Sequence, residues 1–215
     1  MATSTDRFRE LRRLLSSYES TGFAFDDTES RPGDALSAYL RQTASDPERV
    51  AEVVAEIEDL LAVGLFNEEI AEDVDLLPRI NPPGGATVEG CLAVIDGHLR
   101  KSLADPTTSA HTPPQTAWEW AERFPELSQM LGAYFHQDFP LEYSSHREAL
   151  DDYISDTPKS DLQQVAVEIR EFLTLNESDQ SLKKWTSSLG LAVSPPSGVR
   201  LRQWLADVRE IILNQ

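Results

Sequence analysis

The segment FPELSQMLGAY, residues 124–134, has a second, altered copy near the start of the chain, FRELRRLLSSY at residues 8–18. Five of the eleven aligned positions are identical: a phenylalanine, a glutamate, two leucines and a tyrosine. The apolar residues of the earlier copy recur at the spacing of one helical face. In the later copy, Pro125 suits the first position of a helix. Both segments are therefore predicted to be amphipathic helices.

The match between the two halves of the chain continues beyond these helices. An apolar stripe that begins at Val50 recurs from Leu162 with the same i, i+3, i+4, i+7 spacing. The segment NPPGGATVEGCLAVIDGHL (81–99) aligns with SPPSGVRLRQWLADVREII (194–212) through a proline pair, a glycine and a Leu-Ala pair. Successive matches in the same order predict two homologous halves.

The predicted fold class is all-α, with two tandem homologous helical repeats of about five helices each. The first and diverged repeat is placed at residues 1–103, and the second at residues 118–215. Residues 104–117 are rich in proline, serine and threonine, which is typical of a linker. Two short extended pieces, at 22–26 and 138–142, are expected from the alternation of apolar and polar residues.

The balance of charge is strongly acidic. The chain of 215 residues carries 37 acidic and 19 basic side chains, a formal net charge of −18. Such a chain repels nucleic acid and anionic membranes and attracts a basic partner, although solubility alone is the alternative explanation. There is no run of about 18 apolar residues to predict a membrane span. With no secretory signal and a single cysteine, Cys91, a cytoplasmic protein is expected.

The acidic side chains are concentrated in one segment, because residues 50–78 contain no lysine or arginine. Close packing of like charges costs stability, and a cationic surface would relieve that cost on binding. The segment is therefore a candidate contact for a basic partner, with a solvated helix face as the alternative. The acidic stretch proposed for this role comprises Glu68, Glu69, Glu72, Asp73 and Asp75.

The segment FHQDFPLEY, residues 135–143, resembles a site because His136 and Asp138 lie two residues apart. Two ligands do not make a stable metal centre, so a turn fixed by these side chains is the favoured interpretation. The aligned residues ESTGF, 19–23, contain neither group. Phe139 and Leu141 align with two phenylalanines of the first half and are expected in the core.

Other catalytic motifs are not found in the sequence. It has no phosphate-binding loop with its lysine, no GxGxxG and no GxSxG element. Cys91 aligns with Trp204, which indicates a packing position rather than a nucleophile. No catalytic, metal-binding or cofactor-binding residue is therefore predicted, and an enzyme built on His136 and Asp138 is kept only as an alternative.

The second half of the chain resembles a known family. The pattern PEL…LGAYFHQD, followed by Ala149-Leu150, a PPSG turn and a final helix with Trp-Leu, is similar to immunity proteins of contact-dependent growth inhibition systems, the CdiI type. The resemblance runs from Phe124 to the end of the chain. The family motif, expected to be structural, comprises Phe135, His136, Asp138, Phe139, Trp204 and Leu205.

The resemblance implies a non-enzymatic role in competition between bacteria. Such a protein binds the toxic C-terminal domain of a cognate toxin inside the cell and blocks it, without a cofactor. The acidic charge suits a basic toxin domain, a nuclease among the candidates. The alternatives are an acidic helical adaptor and a nucleic-acid mimic.

Overall fold

The computed structural model describes residues 7–67, 70–105 and 113–215. Within them the chain is all-α, as predicted, with no strand and only isolated β-bridges. No described helix is long and apolar enough to cross a membrane. The described α-helices are α1 (Arg9–Ser16), α2 (Asp34–Gln42), α3 (Pro47–Val63), α4 (Ala71–Asp75), α5 (Val88–Ala104), α6 (Ala117–Arg123), α7 (Pro125–Tyr134), α8 (Phe139–Glu142), α9 (His146–Asp156), α10 (Lys159–Leu175), α11 (Asp179–Ser188) and α12 (Leu201–Leu213).

The chain divides into two compact units, unit 1 (Met1–Glu119) and unit 2 (Trp120–Gln215), and the border falls within α6. Of the predicted linker, residues 106–112 lie outside the described residues. Its last part is held in place, because the backbone N–H groups of Gln115 and Thr116 donate to the buried Glu119 carboxylate at 3.0 and 2.8 Å.

Unit 1 is built on α3, whose start follows from its sequence. Asp46 accepts a hydrogen bond from the Arg49 backbone N–H at 3.3 Å, and Pro47 occupies the first turn. The apolar stripe predicted along this helix is buried, with Val53 and Ile57 fully covered. A 3₁₀-helix, Ser17–Thr21, continues α1, and its tyrosine is also fully covered.

Unit 2 has its own core around α10, which is 17 residues long, the same length as α3. Val165, Ile169 and Phe172 on this helix have no exposed surface. Tryptophan and phenylalanine rings from other helices complete the core: Trp120 stacks on Trp185 with their ring centroids 5.2 Å apart.

Two expectations from sequence are wrong. Residues 138–142 do not form an extended piece, since α8 occupies 139–142. Leu141 is 85% exposed, whereas its aligned partner Phe25 is buried at 9%. Residues two apart share a face in a strand but lie on opposite sides of a helix, so the helical turn that buries Phe139 directs Leu141 outward.

Candidate functional site

The acidic stretch divides into three groups in the structure. Glu68 and Glu69 lie outside the described residues. Asp73 is only 5% exposed, so its carboxylate is directed into the protein. Glu72 and Asp75 are exposed on α4, three residues apart and therefore on the same side of that helix. Among the described members of the stretch, Glu72 and Asp75 are the two with exposed side chains.

An apolar depression lies beside them. We call it the α4 groove; it has a volume of about 450 Å³, and its lining includes Leu60, Leu65, Phe66, Val74, Leu77 and Val88. Asp75 and Arg79 also line it. Phe66 is 93% exposed and nearby Leu76 is 54% exposed, which is unusual for large apolar side chains.

Sequence reasoning missed the α4 groove because it assigned the segment by its charge. The signal was present in two apolar pairs, Leu65-Phe66 and Leu76-Leu77, which flank the acidic residues. These apolar pairs lie on both sides of an acidic helix and do not continue a helical stripe. Such a pattern indicates that some of the four apolar side chains can remain outside the core.

The equivalent turn of unit 2 is held by an arginine. Arg202 on α12 donates hydrogen bonds to the carbonyl oxygens of Leu173 and Glu177, each at 3.0 Å, and to that of Asn176. These bonds hold the turn after α10. In the alignment of the two halves, Glu89 stands where Arg202 is found, and a carboxylate cannot donate to carbonyl groups.

His136 and Asp138 lie in the turn between α7 and α8, where the His136 ring makes the contacts and the Asp138 carboxylate does not cap α8. The Asp138 backbone N–H donates to His136 Nδ1 at 3.2 Å, which leaves the proton on Nε2. That nitrogen lies 3.2 Å from Glu142 Oε2 and donates to it. Among the described residues, no group of three or more histidine, cysteine, aspartate or glutamate side chains is placed to hold a metal ion.

The apolar residues of the family motif pack together in the core of unit 2. Phe135 meets Trp204 edge to face, with the ring centroids 5.1 Å apart, and stacks on Phe139 at 5.9 Å. Leu205 is fully buried beside them. These side chains therefore contribute packing rather than a surface for recognition.

A glutamate inside each unit was also missed. Glu168 is 2% exposed and accepts a hydrogen bond from the Leu127 backbone N–H at 2.9 Å. Glu56, its aligned counterpart, accepts from the Leu11 backbone N–H at 2.6 Å. In both cases burial raises the pKa of the carboxyl group above its ordinary value. The signal available in the sequence was a glutamate directly before Ile57 and again before Ile169.

These two carboxylates serve the backbone rather than a substrate. The first turn of a helix has N–H groups without partners inside the helix, and a carboxylate from another helix satisfies them. Because α3 acts in this way on α1, and α10 on α7, both glutamates join the helices of their own unit.

Comparison with known proteins gives one match. No curated protein and no solved structure matches the chain. Residues 123–212 match the model of the CdiI immunity protein family. The matched region runs from α7 into α12 and contains the complete family motif. The resemblance expected from FPELSQMLGAYFHQD is thus confirmed for this region, where unit 2 is similar to the CdiI immunity proteins, a family that implies neutralisation of a contact-dependent inhibition toxin.

Proposed function

We propose that this chain neutralises its toxin by binding the toxic domain directly and occluding its active or substrate-binding surface. The observation that carries the proposal is the family match over residues 123–212. Mutual occlusion of two surfaces needs no catalytic group and no cofactor. It requires only an interface whose shape and charge match the toxin.

The charge of the chain supports a basic toxin domain as the partner. A net charge of −18 produces a field that accelerates the encounter with a cation-rich surface and disfavours nucleic acid. Toxin domains that cleave nucleic acid carry cationic substrate surfaces, so a nuclease fits this partner chemistry. We place the encounter in the cytoplasm, where such a toxin would act.

We further infer that residues 1–103, within unit 1, are a diverged copy of the immunity fold, that residues 104–117 are the linker, and that residues 118–215 are the copy that keeps the family pattern. Two observations support this: α3 and α10 have equal length, and Glu56 and Glu168 accept hydrogen bonds from aligned leucines. In this arrangement the exposed acidic residues of α4 belong to a copy that is free to differ from the family pattern.

Co-expression tests the proposal directly. The chain is produced together with the C-terminal toxic domain encoded beside it, and growth is compared with cells that express the toxin domain alone. We expect rescue of growth, a one-to-one complex on size exclusion, and loss of toxin activity in proportion to added chain. Failure of the purified proteins to form a complex, or rescue by destruction of the toxin domain, would contradict occlusion.

The salt dependence of association tests the charge argument. The association rate should fall steeply as ionic strength rises, because salt screens a steering field, while dissociation changes less. A rate that does not respond to salt would remove electrostatic steering and leave direct binding intact.

A further inference from the structure

The α4 groove exposes apolar surface where the fold has no need to do so. Phe66, which is 93% exposed, lines this depression, and the depression reaches core side chains such as Leu60, which is 1% exposed. Exposing a phenylalanine ring forgoes the burial free energy that a covered position would supply. Contiguous apolar surface with a polar rim is typical of a site of protein contact.

The charge at the rim identifies the chemistry of what would cover the groove. Glu72 and Asp75 lie along one side, and exposed Glu89 follows the lining residue Val88. Arg79 is the basic side chain that lines the groove. Residues 50–78 contain no lysine or arginine, but Glu52, Glu58 and Asp59 on α3 pair with arginines from elsewhere in unit 1. The acidity at the groove is therefore carried by Glu72, Asp75 and Glu89.

We propose that the α4 groove of unit 1 receives an apolar side chain from a lysine- or arginine-rich segment of the toxin domain, with the flanking cations facing Glu72 and Asp75. This rests on the proposed function and adds to it the place of contact. An apolar anchor supplies affinity, since the residues that dominate binding energy are few and fill pockets. The acidic rim supplies association rate and selects a basic partner.

The same reasoning explains why the contact belongs to unit 1. In unit 2 the ten-residue α11 stands where unit 1 has the five-residue α4. Both segments bury two apolar residues, Leu182 and Leu189 in unit 2 and Ile70 and Leu77 in unit 1, but unit 1 also leaves Phe66 93% exposed. Unit 1 therefore presents an exposed aromatic ring at this end.

The experiment measures binding of the full chain to the purified toxin domain encoded beside it. The double variant Phe66→Ser, Val88→Ser replaces the two exposed apolar side chains that line the groove. The matched control is Leu141→Ser, which removes an 85% exposed leucine from unit 2. We expect the double variant to weaken binding by about 30-fold or more, as loss of an anchor residue does, and the control to change it less than about twofold.

A separate variant tests the acidic rim. Glu72→Lys with Asp75→Lys should slow association by about tenfold at low salt and leave dissociation nearly unchanged. All variants change exposed side chains, and circular dichroism melting curves should overlay with wild type.

Each result decides a separate question. If wild type forms no complex with the toxin domain, the proposed function fails and the α4 groove loses its partner. If wild type binds, and the Phe66→Ser, Val88→Ser variant binds as tightly as the Leu141→Ser control, the α4 groove is not the contact while the immunity function stands.

Discussion

The two units solve the same packing problem with different side chains. In unit 2, Trp204 fills the centre of an aromatic cluster and Arg202 fastens the turn after α10. In unit 1, Cys91 and Glu89 occupy the aligned positions. Residues of the turn after α3, Leu65 and Phe66, line the α4 groove. The comparison teaches that the apolar stripes specify the helical frame, while aromatic and charged residues decide how the core and the turns of each unit are completed.

The largest difference should appear when the aligned core residues are truncated. Trp204 is 5% exposed, and Trp204→Ala should lower the free energy of unfolding by about 3–5 kcal/mol through lost burial and the cavity left behind. Cys91→Ala, at the same place in unit 1, removes one sulfur atom and should cost about 1 kcal/mol. Urea denaturation followed by circular dichroism measures both. Equal costs would mean that the two units do not differ in their reliance on this position.

The paired glutamates give the next largest effect. Glu168→Ala leaves the Leu127 N–H group buried without its acceptor, which should cost about 1–3 kcal/mol. Glu56→Ala removes the acceptor of the Leu11 N–H group, but Glu56 is only half-buried, so water compensates part of the loss and the cost should be smaller. A larger cost at Glu56 would reverse the assigned importance of burial.

The dependence of stability on pH tests the charge of the same two glutamates. Burial raises the pKa of Glu168 above its ordinary value of 4.5, so the folded state keeps this proton to a higher pH than the unfolded state does. Stability therefore falls as pH rises from 4.5 through the folded pKa of this carboxyl group. Glu168→Gln keeps an acceptor without the charge and should remove that loss. Urea titrations across this pH range measure the stability of wild type and Glu168→Gln, with Glu56→Gln as the matched variant. Identical slopes of stability against pH for wild type and Glu168→Gln would contradict this prediction.

Sequence periodicity predicts the frame well, for a physical reason. Asp46 and Pro47 define the start of α3, and the apolar spacing from Val50 onward matches the buried face, because both depend on residues close together in the chain. Glu168 escapes such reasoning: a charged residue is assigned to solvent unless the backbone group that it serves, 41 residues away, is known.

The site is harder to predict than the frame. Whether Phe66 is covered depends on the length of α4 and on the side chain that faces the turn after α3. The pattern of apolar residues around Phe66 shows neither of these. Leu141 was expected in the core but is exposed. A short segment of alternating apolar and polar residues fits a strand or a helical turn equally well, and only tertiary packing decides between them.

The smallest expected effect concerns the histidine that first suggested chemistry. His136 accepts from the Asp138 N–H group and donates to Glu142, both at a partly exposed turn. His136→Ala should therefore cost about 0.5–1.5 kcal/mol of stability. Ser20 is the aligned residue of unit 1, and its hydroxyl donates to the Ser17 carbonyl at 3.0 Å. Ser20→Ala is thus the matched control, with a similar or smaller cost.

Toxin binding separates structure from recognition at this turn. If His136 serves only to hold α7 against α8, the His136→Ala variant should bind the toxin domain with the affinity of wild type once it is folded. Calorimetric titration well below the melting temperature measures this directly. A loss of affinity beyond about tenfold with unchanged stability would move recognition from the α4 groove of unit 1 to the family motif of unit 2, because a residue that only holds a turn affects binding through the folded fraction alone.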